Sequence, residues 1–150
     1  MLLVLTLLGS VSGNAVLDIV FEGMPSAGRL TDIKLFNDWV SWLALGRLPD
    51  SSNCKDPYRS YLPDTGHIKF THGDLHRGNI IISPTSPPRI LGLVDWAQSG
   101  WYPDYWEYCK ACYTSRYGDE WRDQWIPKFL SPRTQEYEVF AEYVMAMGSV

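Results

Sequence analysis

Three apolar runs, residues 67–71, 80–83 and 89–94, are each too short to make an ordinary helix and are separated by polar or proline-rich chain. They read as strands: His67 to Thr71, Ile80 to Ser83, and Arg89 to Val94. The last two are joined by Pro84-Thr85-Ser86-Pro87-Pro88, a turn segment that predicts a hairpin. Around this group the pattern is helical. Ile33, Leu35, Phe36, Trp39, Val40, Trp42 and Leu43 recur at helical spacing between Asp32 and Leu45, with Thr31 or Asp32 placed to cap the start. Further helices are expected from Pro103 onward, where Tyr105, Cys109, Cys112 and Tyr113 share a face, from Glu120 to Phe129, and from about Pro132 to Met147. Leu48 to Gly66, broken by Pro49, Pro57 and Pro63, reads as a long loop. Helix, loop, three short strands and then helices is the order of an α+β chain rather than an alternating α/β sheet.

A chain of 150 residues, 45% hydrophobic and 20% charged, has the balance of one globular domain with a real core. Its net charge of −4 offers no basic face, so nucleic acid is not an expected partner. The three cysteines, Cys54, Cys109 and Cys112, do not form a secreted disulfide pattern, which favours a reducing, cytoplasmic setting. Cys109-x-x-Cys112 lacks the preceding strand of a redox helix and the second ligand pair of a zinc site, so both cysteines are read as structural. Met1 to Leu8 is apolar and is followed by small residues, as in a leader peptide, but no Lys or Arg precedes it. It is also far shorter than the roughly 20 residues a membrane span requires. A buried segment is the preferred reading; secretion, with a mature terminus near Asn14 or Ala15, is the alternative. Trp101, Tyr102, Tyr105, Trp106, Trp121 and Trp125, interleaved with acidic residues, are expected mainly as core and rim, with a pocket for a cationic substrate as the alternative.

The chemistry is concentrated between the first two strands, in Thr71-His72-Gly73-Asp74-Leu75-His76-Arg77-Gly78-Asn79-Ile80. Phosphoryl transfer needs a carboxylate to receive or orient the proton of the acceptor hydroxyl, and hard oxygen ligands for magnesium. A kinase catalytic loop meets the need as H-R-D-x-x-x-x-N; here His72, Asp74 and Asn79 fall in that register, with Gly73 in place of the arginine. A second magnesium-binding aspartate should follow at a strand end, and Leu91-Gly92-Leu93-Val94-Asp95-Trp96 supplies one. A hairpin between Asn79 and Asp95 would bring the two to the same end of a sheet.

Taken together, H-G-D-L-H-x-G-N followed by V-D-W closely resembles the signature of the aminoglycoside phosphotransferase-like family, which also includes choline, homoserine and fructosamine kinase relatives. The chain resembles the fungal members, and the likeness extends through Phe21-Glu22-Gly23-Met24-Pro25-Ser26, Phe36-Asn37-Asp38-Trp39 and Trp101-Tyr102-Pro103-Asp104-Tyr105-Trp106-Glu107. The resemblance implies a protein-kinase-like fold and an ATP- and Mg2+-dependent transfer to a small-molecule hydroxyl. It implies Asp74 as catalytic base, Asn79 and Asp95 as magnesium ligands, and His72 as a brace of the loop. His76 stands where protein kinases place a phosphate-contacting lysine. Gly73 and Gly78 are read as positions of backbone freedom.

No glycine before Asp74 belongs to a G-x-G-x-x-G loop, and neither Lys34, Lys55 nor Lys69 lies in a V-A-I-K context. The expectation is therefore a mostly helical carboxy-terminal lobe with a short β-hairpin, residues 1–150 forming part of a larger domain whose small nucleotide-binding lobe is missing. Such a lobe is expected to be weakly active or inactive alone; a non-catalytic, kinase-fold binding or regulatory module is the alternative.

Overall fold

Asp32, in extended conformation, accepts a hydrogen bond from the Leu35 N–H at 2.9 Å and so starts helix α1, Ile33–Leu45. The computed structural model of the chain describes residues 7–11, 16–47 and 55–148. Ile33, Phe36, Val40, Leu43 and Ala44 form the buried stripe of α1, while Lys34 and Asp38 pair one turn apart on its exposed side. Helices α2, Trp106–Tyr113, α3, Ile126–Phe129, and α4, Thr134–Met147, follow near the expected places. Helix α3 is entered through a wide turn at Trp121–Trp125, just ahead of Pro127, and α4 ends on Gly148 in the left-handed region.

The five strands are β1, Gly9–Ser10; β2, Ile68–Thr71; β3, Ile80–Ile82; β4, Ile90–Leu93; and β5, Gly100–Pro103. They form two antiparallel sheets, β1-β5-β2 and the hairpin β3-β4, so the expected hairpin is present. Strands β1 and β5 were not expected, and the helix expected to begin at Pro103 begins at Trp106 instead. Pro103 closes β5 opposite Ile68, and the next bond of the ladder runs from the Asp104 N–H to the His67 carbonyl. The N–H that proline lacks is thus not needed by the ladder.

The core lies between α1, α2, α4 and the β1-β5-β2 sheet. The Trp106 ring stacks between Phe21 and Tyr102, with centroids 5.5 and 5.6 Å away, and meets Phe36 and Phe140 edge-on. Tyr102, Tyr105 and Trp106 are therefore core residues, whereas Trp101 and Trp125 remain exposed. Cys109 and Cys112 are buried free thiols, and burial pushes Cys109 well above the ordinary thiol range, which suits a packing role. Cys54, Met1 to Thr6 and the first part of the expected long loop lie outside the described residues; Leu8 is buried and bridges to Leu30. Among the described residues, no helix is long and apolar enough to cross a membrane.

Candidate active site

Strand β2 ends at buried Thr71, and the chain then turns through His72 and Gly73 to deliver Asp74. Gly73 sits at φ +80, and a Cβ there would lie 2.7 Å from the Gln98 carbonyl oxygen. Glycine is required on both counts, because the catalytic-type loop packs directly against the turn that follows β4. The His72 ring is buried within this junction. Its Nδ1 accepts the Asp74 N–H at 3.2 Å, and its Nε2 lies 3.0 Å from the Val94 carbonyl. Both bonds are satisfied by the neutral tautomer protonated on Nε2, so one ring ties Asp74 to the end of β4.

A residue that the loop motif does not reveal completes the brace. Glu107, in the first turn of α2, accepts the His72 N–H at 2.5 Å and the Gly73 N–H at 3.1 Å. Burial pushes its carboxyl above the usual carboxylate range, against the opposing pull of those two N–H groups. Sequence spacing could not assign this contact, since the bonded residues are 35 and 34 positions apart. The available clue was the acidic residue at the start of a helix within the resembling Trp106-Glu107 segment.

Asn79 is buried at the end of a short turn, Arg77–Asn79. Its side-chain amide donates to the Asp74 carbonyl at 2.9 Å and to Asp74 Oδ2 at 3.3 Å. With the nitrogen engaged, Oδ1 is left without a hydrogen bond among the described residues and is available as a hard oxygen ligand. The Asn79 carbonyl accepts the Val94 N–H at 3.0 Å, and Asp95 is the next residue along. The hairpin therefore places the backbones of Asn79 and Asp95 at one end, as its length requires. Asp95 has an exposed carboxylate and a left-handed backbone, φ 62, a conformation costly for a side chain with a Cβ and tolerated best by Asn and Asp. Among the described residues, no group of three His, Cys, Asp or Glu is assembled for a metal. The Asn79 amide oxygen and the Asp95 carboxylate are the hard oxygen groups that this end of the hairpin offers.

His76 caps the same turn: its Nδ1 accepts the Gly78 N–H at 3.0 Å, and its Nε2 lies 3.8 Å from Asp74 Oδ2. A Cβ at Gly78 would fall 2.7 Å from the imidazole, so glycine there makes room for the ring. Arg77 reaches Asp119 at 2.7 Å, joining the loop to the segment after α2. Between these segments opens a cavity of about 1000 Å³ whose wall includes Asp74, His76, Arg116, Tyr117 and Trp121. On the β2 side of the loop, Trp96 lies 4.4 Å from the His72 ring and stacks on Phe70 at 5.8 Å.

A family model described as the phosphotransferase enzyme family matches residues 26–143. Comparisons with curated proteins and with solved structures find no match. The matched stretch runs from before α1 into α4 and includes both the Asp74 loop and Asp95, so the family and the site coincide along the chain. The chain belongs to the phosphotransferase enzyme family.

Proposed function

We propose that the chain is the catalytic, carboxy-terminal lobe of a kinase-like enzyme that transfers a phosphoryl group from ATP, with magnesium, to the hydroxyl of a small molecule. The observation that carries this reading is the hold on Asp74. Its N–H is fixed by His72, its carbonyl and carboxylate are bonded by Asn79, and its side chain borders the large cavity. Asp74 orients the acceptor hydroxyl and receives its proton as the oxygen attacks. Asn79 and Asp95 would hold the magnesium ion, which when bound neutralises charge on the transferring phosphate. His72 and Glu107 keep the loop in place, and His76, beside Asp74, is positioned to meet a phosphate oxygen.

The hairpin supports the assignment to one lobe. Ile82 and Ile90 are exposed and paired across the hairpin, an apolar patch suited to an adenine ring or a covering lobe, and Ile81 and Leu91 are exposed as well. The second reading is a kinase-fold module that binds nucleotide without catalysing transfer.

The test is turnover of ATP by the purified 150-residue chain with magnesium. Trace turnover is expected, lost on chelation and on Asp74→Asn. Robust turnover that survives Asp74→Asn would refute the role given to Asp74; nucleotide binding with no turnover would favour the second reading.

A further inference from the structure

We propose that the phosphate acceptor is an alcohol that also carries a carboxylate or phosphate group, held by Arg77 and Arg116 in the cavity beside Asp74. The assignment rests on the phosphotransferase reading above. The cavity, about 1000 Å³, is large enough for a small metabolite. From the loop, Asp74, His76, Arg77 and Gly78 line it, whereas Asn79, Asp95 and the β3-β4 hairpin do not.

The charges of its wall decide the ligand class. Two carboxylates line it, Asp74 and Asp119. Asp74 is reserved for the reacting hydroxyl. Asp119 is committed through both oxygens: Oδ2 accepts from Arg77 at 2.7 Å, and Oδ1 accepts the Trp121 N–H at 3.3 Å. A polycationic alcohol would need free carboxylates to replace the hydration of its ammonium groups, and the wall has none to spare. The Thr114 and Ser115 hydroxyls also direct their protons to helix carbonyls, at Lys110 and Ala111.

The cationic side of the wall is different. Arg77 gives Nη2 to Asp119, and no other bond of its guanidinium is formed among the described residues. The Arg116 guanidinium makes no ion pair or hydrogen bond among the described residues. Two arginines from segments joined by the Arg77–Asp119 pair thus present donors in planar forks, the geometry that binds carboxylate and phosphate oxygens. Asp119 orients one fork and partly offsets its charge, while Arg116 supplies the uncompensated charge.

The experiment measures dissociation constants by ligand-observed NMR for glycerate, glycerol 3-phosphate, glycerol, kanamycin and MgADP. The anionic alcohols are expected to bind at least about tenfold more tightly than glycerol, the difference one charge-assisted hydrogen bond supplies. Arg116→Ala should erase that preference, and Arg116→Lys, which keeps the charge without the fork, should restore part of it. The proposal is overturned if neither anion outbinds glycerol, if kanamycin binds most tightly, or if Arg116→Ala weakens MgADP and leaves the anionic alcohols unchanged. The last result would place the guanidinium on the nucleotide. MgADP binding and its loss on Asp95→Asn report separately on the phosphotransferase reading, so either conclusion can fail while the other stands.

Discussion

At the residue scale, the candidate site depends on backbone N–H groups as much as on reactive side chains. Glu107 is the clearest case, because its two oxygens accept from two successive amides of the loop. Glu107→Gln keeps the volume but replaces one acceptor by an NH2 group, which leaves one buried N–H facing a donor. An unsatisfied buried N–H costs about 1–3 kcal/mol, so hydrogen exchange at His72 and Gly73 should quicken by about tenfold or more. Unchanged protection at both amides would show that the carboxylate is not the brace. The pH dependence has a definite sign. Burial raises the folded-state value of Glu107 above the ordinary 4.5, so ionising it becomes less favourable in the fold and stability falls as pH rises through that window.

At the scale of elements, a single carboxylate joins two helices and the turn between them. Asp56 accepts from Ser41 on α1, from Tyr143 on α4 at 2.6 Å, and from the N–H groups of Tyr58 and Arg59 at 2.8 and 3.1 Å. Burial raises its pKa, but the bonds from Ser41, Tyr143 and the two amides outweigh burial and hold it below the ordinary 3.8. A depressed carboxylate contributes stability above its unfolded value and loses it as pH falls through the folded one. Asp56→Asn should therefore cost about 1–3 kcal/mol at neutral pH. The gap from the parent protein should close as pH drops below 3.8. Urea unfolding of both proteins across the acid range measures this, and a gap independent of pH would contradict it.

At the scale of the whole molecule, the buried charge of Lys110 links regions far apart in sequence. Its ammonium donates to Asp18 at 2.6 Å and to Gln98 at 3.1 Å, while Asp18 also accepts the Trp106 indole N–H at 2.8 Å. Gln98 in turn accepts the Ile19 N–H at 3.1 Å, and its backbone is the surface against which Gly73 packs. Helix α2 thus holds both loops of the site: Glu107 bonds the Asp74 loop, and Lys110 bonds the turn after Asp95. Both side chains of the Lys110–Asp18 pair are fully buried. Removing one partner strands the other, so Lys110→Met should destabilise the protein by about 3–5 kcal/mol. Asp18→Asn combined with Lys110→Met should recover part of that loss in urea unfolding; additive losses would mean the two charges are not coupled.

Helix α1, its Asp32 cap, α4 and the β3-β4 hairpin were legible in the sequence because each follows from spacing within a short stretch, where apolar period and turn chemistry act locally. The same locality made His72, Asp74 and Asn79 recognisable, since eight consecutive residues carry the motif. Strand β5 was not legible, because Trp101-Tyr102-Pro103 has no strand pattern of its own and becomes extended by pairing with β2 and β1. The roles of Glu107, Lys110 and Gln98 were hidden for a related reason. Their partners lie 35, 92 and 79 residues away in the chain, and only packing brings a helix, a strand end and two loops within hydrogen-bond distance. The sequence by itself determined which groups carry the family motif and which segments coil locally; the tertiary structure decided what holds those groups still, because polar groups taken out of water must find partners wherever the chain brings them.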